Sequence, residues 1–165
     1  MNKQKTIVKV GIADLNIIHA HQLIRTSGLG SCVGIVIYDL NKQVAGMAHI
    51  MLPDSKLTQQ ANFNPYKYAD TAIEVLIKKL IKNGAKRINL KSKIAGGAQM
   101  FAFQSSTSIT RIGPRNVEAV KKELANHKIP IIAKDVGGNN GRTIEFDPTT
   151  GMLKIRAVKK EEIFI

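Results

Sequence analysis

The sequence has no tryptophan, a single cysteine, and only 12 acidic residues against 25 lysines and arginines. One thiol rules out an internal disulfide framework. Five phenylalanines and three tyrosines are too few to dominate a core, which must rest on Ile, Val, Leu, Met and Ala. No stretch approaches the roughly 18 apolar residues of a membrane-spanning helix, so membrane insertion is not expected. The first lysines lead into the alternating segment Ile7 to Ile12, not into an unbroken apolar run with a small-residue cleavage site. No signal peptide is expected from that pattern, and a reducing cytoplasm is the expected compartment.

The formal net charge is +13, which suits either a solvated basic face or attraction to an acidic partner. Lys78, Lys79, Lys82, Lys121, Lys122, Lys159 and Lys160 are scattered. They form no helix-turn-helix, zinc-finger or aromatic RNA-binding pattern, so nucleic acid is not the expected partner. His19, His21 and His127 stand apart from Cys32 without the close ligand spacing of a zinc site, and no metal is expected. Gly96-Gly97 and Gly137-Gly138 lack both the P-loop lysine and the dinucleotide fingerprint and read as tight turns. No cofactor is implied.

At 165 residues the chain suits one domain, residues 1–165. Cys32 to Tyr38 and Val44 to Leu52 are short, apolar and bounded by turn residues, the pattern of buried strands. Asp39 to Lys42 supplies the turn between them, while Ala13 to Arg25 reads as connector or edge structure leading into the glycine-rich turn Thr26 to Ser31. Pro53 to Tyr66 reads as a loop. Ala69, Ala72, Ile73, Leu76, Ile77, Leu80 and Ile81 recur at helical spacing up to Gly84, and a second helix is expected after Pro114 with Val117, Val120 and Leu124 inward. Further strands are expected near Arg87 to Ile94, Pro130 to Val136, Arg142 to Phe146 and Met152 to Val158, the last two joined by the turn Asp147 to Gly151. Hairpins plus two isolated helices predict an α+β fold with a mainly antiparallel or mixed sheet and two principal flanking helices.

Cys32 follows a glycine-rich turn, where a nucleophile has room for substrate and amide groups beside it. A lone cysteine is more often a small buried hydrophobe than a catalyst, and His49 by itself is more often a core histidine bonded to backbone. Their spacing sharpens the choice. If Asp39 to Lys42 closes the hairpin as a four-residue loop, Cys32 faces His49 on one sheet face, with Cβ atoms about 4.5–5.5 Å apart. Gly34 then leaves space beside them, whereas a one-residue slip would put the pair on opposite faces.

Thr26 to Gly34 and Gly46 to Ser55 resemble the CheD family of chemoreceptor glutamine deamidases. Lys67 to Asp70, Lys93 to Phe101, Ile112-Gly113 with Arg115-Asn116, and Asp135 to Gly138 with Gly141-Arg142 are similar to later blocks of that family, in the same order. The resemblance implies a cysteine-hydrolase-like fold and a triad of Cys32 as nucleophile, His49 as base and acid, and Thr26 as third member. It implies a glutamine on the cytoplasmic bundle of methyl-accepting chemoreceptors as substrate and a CheC-type phosphatase as a further partner. Because a free thiol is mostly protonated at neutral pH, activation of Cys32 through an imidazolium–thiolate pair with His49 is expected. Local geometry nominates the Cys32 amide with Gly30 and Ser31 for an oxyanion site. Phe101, in the block that contains Gly96-Gly97, is the first candidate for an apolar substrate-docking surface. The competing reading is a non-catalytic basic adaptor that binds chemoreceptors or the phosphatase.

Overall fold

Every residue of β4 (Val33–Asp39) and of β5 (Val44–Ile50) is buried, so both faces of this hairpin must be covered. A computed structural model of the chain, describing residues 4–100 and 111–165, shows what covers them. One face carries the helices α1 (Ala69–Lys82) and α2 (Ile112–Asn126); the other carries a second sheet. The remaining strands are β1 (Thr6–Val10), β2 (Asp14–His19), β3 (Gln22–Leu29), β6 (Lys91–Gly96), β7 (Ile131–Val136), β8 (Arg142–Asp147), β9 (Met152–Ala157) and β10 (Ile163–Phe164). The central sheet has the order β2-β5-β4-β6-β7 and the outer sheet β1-β3-β8-β9-β10. Both are mixed, since β6–β7 and β1–β3 are parallel pairs. The fold is α+β with two principal helices, as expected.

The two-residue period of a strand sorts the core into two layers. Val33, Ile35, Ile37, Ala48 and Ile50 pack with Ala72, Ile73, Leu76, Val117 and Val120 of the helices. Val36, Tyr38, Ala45 and Met47 pack with Ile24, Leu29, Ile144, Phe146 and Leu153 of the outer sheet. Each fully buried aliphatic side chain contributes about 1.5–3 kcal/mol of transfer free energy.

Several expectations are corrected. Ala13 to Arg25 is not a connector: β2 forms the edge of the central sheet, and β3 passes into the interior of the outer one. Thr26 therefore sits within a strand, and the turn before β4 comprises only Gly30 to Cys32. The hairpin loop is Leu40 to Gln43, and Gly34, not Cys32, faces His49. Arg87–Asn89 forms a 3-10 turn ahead of β6. The second helix starts at Ile112, with Pro114 in its first turn, where no intrahelical N–H bond is lost. Ile81 is 43% exposed, and β10 was not anticipated.

Candidate active site

His49 lies near the end of β5 on the face toward the outer sheet and has no exposed surface. Its partner comes from across the two sheets: Thr26 Oγ1 of β3 is 2.7 Å from His49 Nδ1. The same hydroxyl donates to the Val10 carbonyl of β1 at 2.8 Å. A hydroxyl has one hydrogen and a carbonyl can only accept, so Thr26 Oγ1 must accept from a protonated Nδ1. That bonding fixes the tautomer and leaves Nε2 as a bare lone pair. Nε2 is buried, and among the described residues nothing bonds it. Leaving a buried polar atom unsatisfied costs about 1–3 kcal/mol, a cost that calls for a reason beyond the fold.

Burial disfavours the charged ring and holds its pKa at about 4, below the ordinary 6.5. Between those values the unfolded chain carries a proton at His49 that the folded chain does not. Stability from this group is complete above pH 6.5 and is lost as pH falls toward about 4, by on the order of 3 kcal/mol at most. Denaturant midpoints across pH 4–7 should therefore show an acid-side fall that is shallower in His49→Ala. Parallel pH profiles for the two proteins would refute the assignment.

Cys32 is half-buried and borders the inter-sheet core immediately before β4. By strand parity it shares a face with Gly34 and hence with His49, as a diagonal neighbour in place of the direct one expected. Diagonal neighbours lie about 7–8 Å apart between Cα atoms, within reach of longer side chains. No hydrogen bond joins the thiol to Nε2. Gly34 does not open space for substrate either: a Cβ there would meet Ile144 Cδ1 at 2.6 Å and Leu29 Cδ1 at 3.2 Å. Burial raises the thiol pKa, and a hydrogen bond from the Cys32 amide opposes that shift.

Three successive carbonyls hold the turn that carries Cys32. Gly30 O accepts from Ala98 N at 2.8 Å, Ser31 O from Asn116 Nδ2 at 2.9 Å, and Cys32 O from Gly97 N at 2.8 Å. The approach is close: a Cβ at Gly96, whose φ is +111°, would lie 2.3 Å from Cys32 O. All peptides are trans among the described residues, so pinning a carbonyl aims the N–H of the next residue to the opposite side. Among the described residues the Ser31 and Cys32 amides have no backbone acceptor. The turn can thus present two N–H groups beside Sγ. Met100 lies over it, its Cγ 3.1 Å from where a Gly30 Cβ would be.

Thr26 and His49 are in contact, Cys32 lies on the same face, and Gly30 and Ser31 belong to its turn. Phe101 lies outside the described residues. Sequence reasoning passed over Asn116, a fully buried polar side chain. Its signal was a lone asparagine within the apolar stripe Gly113, Val117, Val120, Leu124 of α2. His19 bonds Asn83, and His127 pairs with Glu123. Among the described residues no His, Cys, Asp or Glu cluster could hold a metal, and no helix is long and apolar enough to cross a membrane.

The family model for CheD, described as chemotactic sensory transduction, matches residues 51–157. The "Probable chemoreceptor glutamine deamidase CheD" of Oceanobacillus iheyensis is 59% identical over 162 residues, 98% of each chain. The "Chemoreceptor glutamine deamidase CheD" of Halalkalibacterium halodurans is 62% identical over 156 residues, 94% of this chain and 96% of its own. The protein of that name from Bacillus subtilis is 53% identical over 159 residues, 96% of each.

Proposed function

The chain belongs to the CheD family, and from that premise we propose that it hydrolyses glutamine side-chain amides of chemoreceptors to glutamate and ammonia. The observation that carries the chemistry is His49: one ring nitrogen is committed to Thr26 while the other is bare, buried and, among the described residues, unpartnered. A structural histidine would use both. In this reading Nε2 takes the thiol proton as Cys32 Sγ attacks the glutamine Cδ. The tetrahedral oxyanion is received by the Cys32 and Ser31 amides. Collapse breaks the C–N bond, and ammonia leaves with the proton from Nε2. His49 then takes a proton from water, whose oxygen attacks the thioester; glutamate departs and the thiol is restored.

The resting pair in this scheme is neutral. Burial lowers the imidazole pKa and raises that of the thiol, and both shifts disfavour the imidazolium–thiolate pair expected from thiol chemistry. The proton moves during attack, and the ring needs no protonation beforehand. The charge of +13 supports attraction to an acidic partner such as a glutamate-rich receptor bundle. A CheC-type phosphatase is a second partner in this reading. A non-catalytic adaptor gives no account of the bare Nε2.

Incubation with a receptor cytoplasmic fragment should raise the fragment's intact mass by about 1 Da per glutamine converted, through the thioester route. An unchanged mass after prolonged incubation with acidic and glutamine-containing fragments alike would reject the enzyme reading. Thr26→Val removes the hydroxyl and leaves the buried Nδ1–H without its acceptor. It should cost about 1–3 kcal/mol in stability and lower the rate roughly ten- to a hundredfold by freeing the tautomer. Thr26→Ser, which keeps the hydroxyl, should remain close to wild type. Equal loss in both variants would assign Thr26 to packing alone.

A further inference from the structure

Asn116 of α2 reaches two separate segments of the site with one amide group. Its Nδ2 donates to Ser31 O at 2.9 Å and to Met51 O at 2.9 Å, and the residue is completely buried. Both amide hydrogens are thereby used, while the buried Oδ1 has no partner among the described residues. A buried asparagine with satisfied donors and an idle acceptor is held for its donors. The Met51 bond prevents the amide plane from turning, so the bond to Ser31 has a fixed direction. The carbonyl it holds belongs to the peptide whose N–H is that of Cys32. In a trans peptide the two point oppositely, so fixing Ser31 O fixes the aim of the Cys32 N–H.

We propose that Asn116 is the positioning residue of the oxyanion site: it orients the Cys32 amide and strengthens it as a donor by polarising the Ser31–Cys32 peptide. Neighbouring bonds support the assignment, because Ala98 N and Gly97 N hold the carbonyls on either side by backbone alone. Ser31 O is the one of the three held by a side chain, and so the one that substitution can release. Hydrogen bonds in series reinforce one another, and a donor aimed in advance acts without reorganisation as charge develops. This inference rests on Cys32 as the nucleophile, not on the identity of the substrate.

Two reagents separate this role from a general structural one. p-Nitrophenyl acetate acylates the thiol through an oxyanion: sulfur bonds to the carbonyl carbon and nitrophenolate leaves. Iodoacetamide alkylates the same thiol by displacing iodide at a saturated carbon, with no oxyanion. With Cys32→Ala as the blank, Asn116→Ala should acylate at least about tenfold more slowly than wild type, while its alkylation rate stays within about twofold. Asn116→Asp sets a carboxylate against two carbonyls and should fall further; Asn116→Ser, which can return one donor, should recover part of the loss. Receptor deamidation should show the Asn116→Ala defect in kcat with KM little changed. Wild-type acylation in a folded Asn116→Ala, or equal loss of acylation and alkylation, overturns the proposal. So does failure of both the Ala and Ser variants to fold at low temperature, which would place the residue in the fold alone. If the wild type leaves receptor glutamines untouched yet the two reagents divide as expected, the substrate reading falls and the Asn116 assignment stands.

Discussion

Cys32→Ala should bind a receptor cytoplasmic fragment as wild type does and convert none of its glutamines, a loss of at least about a millionfold if the residue acts as other thiol and hydroxyl nucleophiles do. The residue is half-buried and lies outside any strand, so removing its sulfur leaves β4, the three pinned carbonyls and the Thr26–His49 bond in place. Stability should change by less than about 1 kcal/mol. The measurement is intact mass of the fragment after long incubation, with binding followed in parallel. A mass gain in the variant would remove Cys32 from the chemistry; loss of binding together with activity would favour docking as the role of this turn.

The hairpin carrying the pair was legible because strand chemistry has period two. A loop at Asp39 to Lys42 would pair Cys32 with His49; the loop at Leu40 to Gln43 shifts the facing partner by two and preserves the face. The cause is Asp39, which reads as a turn residue but ends β4, fully buried. Its carboxylate accepts from the backbone of Lys42 and of Lys86, satisfying a group that would otherwise not tolerate burial. Gln43 takes the left-handed conformation, φ +52°, that a glycine or asparagine would have advertised. Local reading had no means of detecting either.

What the sequence concealed were the contacts between layers. Resemblance named Thr26, but its bond to His49 runs from β3 of one sheet to β5 of the other, and no counting along a hairpin leads there. The chain changes sheets between His19 and Gln22, through His21 at φ +72°. That switch is why Ala13 to Arg25 lacked a clean pattern: β2 alternates against the helices, β3 against the central sheet. Asn116 was hidden for the same reason. A polar residue on an apolar helical stripe marks a buried partner without saying which, and its two partners lie 85 and 65 residues away.

Replacing His49 tests whether these layers converge on one proton path. His49→Ala should lower the rate at pH 7 by about a thousandfold or more, since the general base and the donor to departing ammonia are lost together. The residual rate should carry a signature. In wild type the neutral ring accepts the proton at every pH above its pKa of about 4, so the rate should be nearly flat from mildly acidic to mildly alkaline pH. Without the ring, attack depends on the thiolate already present, and burial holds the thiol pKa above its ordinary value. The variant's rate should then climb about tenfold per pH unit through the neutral range, following the thiolate fraction. Deamidation rates of the two proteins from pH 6 to 9 decide the matter. A variant as flat as the wild type would show that another group takes the thiol proton, and the bare Nε2 would lose the role assigned to it.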